Sequence, residues 1–471
     1  MTTNTTTRTT SADAPGTAGT TVAGDEEFAR NLVDGRWRFP AAPYEFEIRS
    51  PQDSRVVACV PLSSRFDVDA ALQAGARAAQ AWAADPAVRV RLVAQAVADL
   101  DRLAVPVAEV VATETGLDLA DAVEQVRTGV RWARHRVALA AVDDAGPPAV
   151  EPPGVAGVAG VVLGWGAPFL EAVSGILPLL LQGRTVVVKP SLRAPLSAVV
   201  LAHRLVAAGL PEGVLGVVQG TGTDVGAALV GRRDLAVLHV RGGGRTLDLA
   251  GRAVATTGVP LHPLRAGGNV LLSGRDADPA LVAATVAAGL RLHNASGPAA
   301  VPWLVVHADT AGPVVDALVA AASATRPVPL PTEPVRDRAL AAVRTLGRLG
   351  GRVLTGGAVP DDVAHRMGWL VPATVVTVGA VGSRLGPRSD DDPWREPLGP
   401  VVAVATWRTS DDLADAFSRS RFRDGIGWVH QVGDDAAAAL TGVVRQARGT
   451  DHGVDADDLP AAWTTGCGGV R

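Results

Sequence analysis

The sequence predicts an α/β chain of two doubly wound lobes with a small bridging element. Three observations predict it. The 471 residues exceed one typical domain and suit two large lobes. Apolar residues make up 47% of the chain, enough to bury a sizeable core. Short β-branched runs alternate with longer helical patterns, which is how a parallel sheet covered on both faces is encoded, and the alternation restarts after residue 264.

The elements follow in order. Ser64 or Asp67 can cap a first helix, in which Val68, Ala71, Leu72, Ala76 and Ala79 recur at helical spacing. Residues 88–103 and 119–137 continue as amphipathic helices. Residues 154–162 and 185–188 read as buried strands with turn residues between them. A helix over 197–209 stops at Gly209 ahead of Pro211, and 214–219 and 236–240 are further strands. In the second lobe, 270–272, 304–307, 352–354 and 401–405 are strands, and there is no internal repeat.

Composition excludes several classes. The net charge is −4 with no basic stripe, so nucleic acid is not an expected partner. Cys59 and Cys467 cannot build a disulfide framework, which fits a reducing cytoplasm. Residues 1–24 are mostly Thr, Ala, Gly and Ser; they read as a disordered tail, since a signal peptide needs an apolar segment. The most apolar stretch, 152–188, is broken by Glu171, Arg184 and several Gly and Pro, so no membrane span is expected. Lys189 is the single lysine in the chain.

The segment GVAGVVLGWGAPFLEAVSGILPLLLQGRTVVVKPS (157–191) resembles the cofactor lobe of the aldehyde dehydrogenase superfamily. Further landmarks are GLPEGVLGVVQG (209–220), the Gly242–Gly243 turn, GWLVPATVV (368–376), EPLGPV (396–401) and CGGVR (467–471). Each is weak alone; together, in this order and at these separations, they are specific. The resemblance runs from about residue 30 onwards. It implies a Rossmann-like nucleotide-binding lobe (25–140 and 160–262), a catalytic lobe (263–440) and a bridging element (141–159 and 441–471), with the site between the lobes. It also implies a tail that pairs strands between subunits; this chain stops at Arg471, so the bridging element is read as truncated, and a homodimer or a partner enzyme is left open.

On the nucleotide side, the resemblance places Lys189 against the adenosine ribose or a 2′-phosphate and makes Ser191 a further cofactor-binding candidate. The alternative for Lys189 is a solvent-exposed side chain. Many relatives follow the lysine by a carboxylate; here Leu192 stands there with Arg193 beside it, which leans slightly to NADP over NAD. Gly242 and Gly243 match the turn over the pyrophosphate, although Arg241 and Gly244 depart from the pattern, and a loose turn would look the same. Glu396 matches the carboxylate on the nicotinamide ribose, with an exposed glutamate as the alternative. Loss of cofactor binding is also left open, and no metal is expected.

On the catalytic side, the resemblance implies a thiolate nucleophile, a glutamate base and an asparagine at the oxyanion. All three are replaced: Ala299 stands at the thiol, Arg265 at the base and Gly166 at the asparagine. No register error rescues them, because no cysteine lies between residues 60 and 466 and no glutamate from 213 to 332. The pocket candidates are Trp165, Arg265, His293, Ser296 and Cys467. Ser296 and His293 form either a nucleophilic dyad or ordinary loop hydrogen bonds. Cys467 either faces the pocket or fills space as a small hydrophobe. Arg265 holds an anionic ligand or an internal carboxylate, and His293 adds positive charge below its reference value of about 6.5.

Three functions follow as expectations. The first is an atypical or pseudoenzyme member, an oxidoreductase by resemblance, that binds NAD(P) or a small anion without thioester-forming aldehyde oxidation. The second is a repurposed NAD(P)H-dependent reductase of a carbonyl or imine without a covalent intermediate. The third is a structural partner of an active relative or of a biosynthetic assembly.

Overall fold

The computed structural model describes residues 28–141, 156–265, 269–296, 300–348, 350–361, 367–380, 399–413 and 429–432, with Arg265 and 429–432 as backbone only. The tail at 1–24 and most of the expected bridging element lie outside these residues.

The first lobe opens with β1 (Asn31–Val33), β2 (Arg36–Arg38), β3 (Glu45–Arg49) and β4 (Val56–Pro61). Four helices follow: α1 (Arg65–Ala84), α2 (Pro86–Arg102), α3 (Ala104–Thr115) and α4 (Leu119–Ala141). Ser64 and Asp67 form a reciprocal capping box on α1, so both expected cap residues act together. Next come β5 (Val158–Val162), α5 (Pro168–Leu181), β6 (Thr185–Lys189), α6 (Leu196–Ala207) and β7 (Leu215–Val217). A single wide turn at Gly222–Gly226 leads into α7 (Ala227–Val230), β8 (Val237–Gly242), α8 (Gly244–Thr257) and β9 (Leu261–Arg265).

These strands form one sheet in the order β2-β1-β7-β6-β5-β8-β9, parallel from β7 to β9. β5 and β6 are buried along their whole length because helices cover both faces. One face packs α2 to α6 over Val161, Leu163, Val186 and Val188. The other packs α1, α7 and α8 over Val158, Val162, Val187, Leu238 and Val240. In its parallel part the sheet runs from Val158 to Arg265.

The second lobe contains β10 (Val270–Ser273), α9 (Pro279–Arg291), β11 (Trp303–His307), α10 (Ala311–Ser323), β12 (Val328–Pro329) and α11 (Glu333–Arg348). It continues with β13 (Arg352–Thr355), β14 (Leu370–Val371), β15 (Thr374–Ala380), β16 (Val401–Trp407) and β17 (Val429–Val432). Its sheet has the order β13-β15-β16-β11-β10-β17, parallel except for β13. Two doubly wound lobes are therefore observed, as expected.

The lobes are tied together. Trp369 N–H donates to the Pro51 carbonyl at 2.8 Å, Ser54 Oγ to the Met367 carbonyl at 2.6 Å, and Arg326 pairs with Asp118 at 3.0 Å. Among the described residues no helix is long and apolar enough to cross a membrane.

Candidate active site

The parallel strands of the first sheet end along one edge. Val162 aligns with Lys189 and with Val240, and Gly242 with Arg265. The chain winds from β5 through β6 to β7, then returns to place β8 on the other side of β5. The crevice between the loops after β5 and β8 is thus the topological switch point, where open α/β sheets bind ligands.

The loop after β5 faces the second lobe. Trp165 is half-buried and packs on Leu330, Val335, Ala339 and Val371. Gly166, the expected asparagine position, is buried beside it. Behind the loop sits Glu171, in the first turn of α5 and only 4% exposed. Its Oε2 accepts the Gly164 N–H at 2.7 Å. A Cβ on Gly164 would fall 2.8 Å from that oxygen, so a side chain there would push the carboxylate aside.

Arg241 approaches Glu171 from the end of β8. Burial raises the Glu171 pKa and the Arg241 charge opposes that; burial lowers the Arg241 pKa and the Glu171 charge opposes that. Two residues earlier, burial pushes His239 down to about 3, with His262 and Arg241 adding repulsion. The His239 and His262 rings lie 4.7 Å apart. Neither Glu171 nor Arg241 was singled out as a pocket residue from sequence. The available signals were a carboxylate interrupting the apolar 152–188 stretch and an arginine where relatives differ.

On the nucleotide side, Lys189 ends β6 and is 5% exposed, which removes the solvent-exposed alternative. Its Nζ donates to the Pro190 carbonyl at 2.6 Å, and burial lowers its pKa to about 8. No carboxylate pairs with it among the described residues. Ser191 Oγ accepts the Arg193 N–H at 3.3 Å, which closes a local turn with Arg193 exposed. Leu192 packs instead against Ile48, Val60 and Leu196. Gly242 ends β8 and Gly243 stands at the N-cap of α8 with no side-chain cap, the strand–turn–helix context expected of a phosphate turn. Glu396 lies outside the described residues.

On the catalytic side, Ala299 and Cys467 also lie outside them, and so does the Arg265 side chain with both of its readings. The Asn269 amide donates to the Ala300 carbonyl at 2.7 Å, tying the strand after Arg265 to the residue after Ala299. His293, Asn294 and Ala295 are all left-handed, with φ of 52°, 57° and 51°. Asn294 Nδ2 donates to the Thr115 carbonyl at 2.6 Å, and His293 Nδ1 lies 3.1 Å from Gln125 Nε2; both partners belong to the first lobe.

One expectation is corrected here, and one pair of alternatives is decided. His293 does not titrate near its reference value: burial lowers its pKa to about 4, against a small pull from Asp121, so the ring is neutral at ordinary pH. Ser296 and His293 do not form a dyad. Ser296 Oγ donates to the Asn294 carbonyl at 3.1 Å, while the His293 ring turns to Gln125. The left-handed turn separates the two side chains and makes them loop hydrogen-bonders.

Comparison with known proteins places this architecture. The chain is 28% identical to 3,6-anhydro-α-L-galactose dehydrogenase of Streptomyces coelicolor, over 83% of this chain and 82% of that protein. It is 29% identical to hydroxyisobutyraldehyde dehydrogenase of Mycolicibacterium austroafricanum, over 83% and 79%. Its fold is similar to PnpE of Pseudomonas sp. WBC-3, with a TM-score of 0.77 at 22% identity over 89% and 88%. PnpE has also been solved with nicotinamide adenine dinucleotide. The model of the aldehyde dehydrogenase family matches residues 37–424. With two doubly wound lobes and a crevice at the switch point between them, this chain belongs to the aldehyde dehydrogenase family, a family of oxidoreductases.

Proposed function

We propose that this chain is an atypical or pseudoenzyme member of the family, which binds NAD(P) or a small anionic ligand and does not oxidise aldehydes through a thioester. One observation carries the reading: no cysteine lies between residues 60 and 466, so Ala299 cannot be replaced as nucleophile by any register shift. Arg265 in place of the base adds to it, since a guanidinium accepts no proton at ordinary pH. Cys59 is no substitute, for it lies exposed on β4, paired with Glu47 of β3.

The residues present fit a dinucleotide. Lys189 is a buried ammonium whose only partner among the described residues is one carbonyl, and a phosphate or ribose oxygen would complete it. The uncapped N-terminus of α8 behind Gly243 offers N–H groups to a pyrophosphate. Leu192 supplies no carboxylate for a ribose 2′-hydroxyl, which leans towards NADP. When bound, the nicotinamide would supply a hydride acceptor or donor.

Purified protein should show neither esterase activity nor NAD(P)-dependent aldehyde oxidation above the blank. Ala299→Cys alone should recover little, because Arg265 still removes the base. Thiol-sensitive turnover by the natural chain would refute the reading. The second reading, direct hydride transfer to a carbonyl or imine, requires NADPH consumption without any covalent adduct in the mass spectrum.

A further inference from the structure

Arg241 lies close enough to Glu171 to feel its charge, with its Nε beside Gly175, one helical turn further along α5, and the reading above leaves this pair without a task. The pair stands at the switch point of the first sheet, one member on each flanking segment. Glu171 is fixed: its carboxylate is buried and holds the Gly164 N–H. Arg241 is half-buried, and among the described residues no hydrogen bond engages its five N–H donors. Its stem runs beside Gly175 of α5, whose Cβ, if present, would lie 3.6 Å from the Arg241 Nε.

That position decides which side of the sheet Arg241 serves. Gly175 belongs to α5, which packs with Val161 and Leu163 on one face. Helix α8, with its open N-terminus, packs on the other face over Leu238 and Val240. Arg241 therefore turns away from the expected phosphate turn. It turns towards the segment whose loop, through Trp165, meets the second lobe.

We propose that Arg241, oriented by Glu171, is the receptor for a carboxylate group on a small ligand entering between the lobes. The proposal rests on the anion-binding part of the reading above, and it assigns to Arg241 the role that sequence alone placed at Arg265. A guanidinium fork matches a carboxylate in two parallel hydrogen bonds, and a half-buried setting strengthens them. Glu171 supplies the charge that keeps the empty site tolerable and competes weakly for the same guanidinium.

The test is the thermal stability of the full chain, titrated with acetate, succinate and inorganic phosphate at fixed ionic strength, with NADPH binding followed separately by fluorescence. Both carboxylates should raise the melting temperature of the natural protein. Arg241→Lys keeps the charge that Glu171 requires but loses the fork, and should weaken carboxylate binding about tenfold or more. Glu171→Gln frees Arg241 from its internal counter-charge, and should tighten carboxylate binding by about three- to tenfold. A purely structural pair would leave anion affinity unchanged in that variant. NADPH affinity should hold within about twofold in both variants, since Arg241 faces away from α8.

If Arg241→Lys fails to fold, Glu171→Gln decides alone, because gained affinity cannot come from lost structure. The proposal is overturned if Arg241→Lys responds like the natural chain, if only Arg265→Gln abolishes the response, or if phosphate stabilises and carboxylates do not. Absence of any anion response overturns it too, and NADPH binding then tells whether the dinucleotide half of the proposed function survives.

Discussion

At the scale of single residues, Lys189 carries most of the nucleotide argument. An ammonium 5% exposed, satisfied by one carbonyl, is unfavourable in an empty protein, which is why its pKa falls to about 8. Lys189→Ala should therefore weaken NADPH binding at least about tenfold, near 1.4 kcal/mol. The same variant should leave the ligand-free melting temperature unchanged or higher, since it removes a buried, poorly paired charge. Calorimetry and a melting curve together check both halves. Failure of the natural chain to bind either dinucleotide would sink the assignment. Because the lysine begins to lose its proton near pH 8, dinucleotide affinity should also decline above that value.

At the scale of elements, α6 shows how a helix start legible in sequence can depend on an illegible partner. The helix was expected from Ser197 and begins at Leu196. Its first N–H groups are not capped locally. Glu114, at the end of α3, accepts from Leu196 N at 2.7 Å and Ser197 N at 3.0 Å, and also holds the Ser197 hydroxyl. Nothing in the spacing of residues 114 and 197 announces this contact. Desolvation raises the Glu114 pKa from 4.5 to about 7 despite these bonds. For a carboxylate with a raised folded value, the unfolded chain releases its proton first. Stability is thus present below about pH 4.5 and is lost as pH rises towards 7. Glu114→Gln should remove that loss, worth about 3 kcal/mol at most, while keeping a neutral acceptor at the helix start. Urea unfolding at two pH values inside the window measures it; an unchanged pH slope would refute the account.

At the scale of the whole molecule, the lobes meet where the first turns of α4 touch the end of α9. Asp121 pairs with Arg291, Gln125 faces His293, and Asn294 reaches the Thr115 carbonyl. Three consecutive left-handed residues without a glycine cost about 1–2 kcal/mol each, so these contacts across the lobes hold the turn that precedes Ala299. Asn294→Ala should destabilise the protein by about 2 kcal/mol, combining a lost hydrogen bond with a residue less suited to that backbone. His293 adds a pH term of sign opposite to Glu114. Its folded value of about 4 lies below the ordinary imidazole value of 6.5, so its stability is present above 6.5 and lost as pH falls towards 4. His239 acts in the same direction and Glu171 in that of Glu114. Between about pH 4.5 and 6.5 Glu114 and His293 thus act in opposite directions on the pH profile of stability. Glu114→Gln should tilt that profile so that stability rises with pH, and His293→Gln should tilt it the other way. Variants that leave the profile unchanged would contradict this opposition.

The sequence by itself determined the two α/β lobes, eight of the seventeen strands described, and the absence of any cysteine between residues 60 and 466. Those features are written locally: a Val-rich run reads as a strand buried on both faces, Ser64 and Asp67 read as a cap three residues apart, and an absent cysteine is absent in any fold. Only the tertiary structure decided that Lys189 is buried, that His293 is neutral and aimed at Gln125, and that Glu171 is buried within reach of the Arg241 charge. Periodicity specifies which face of an element is apolar, but not which distant charge arrives opposite it. That choice belongs to strand order and lobe docking, and burial then sets the protonation of each group through desolvation, which no local pattern encodes.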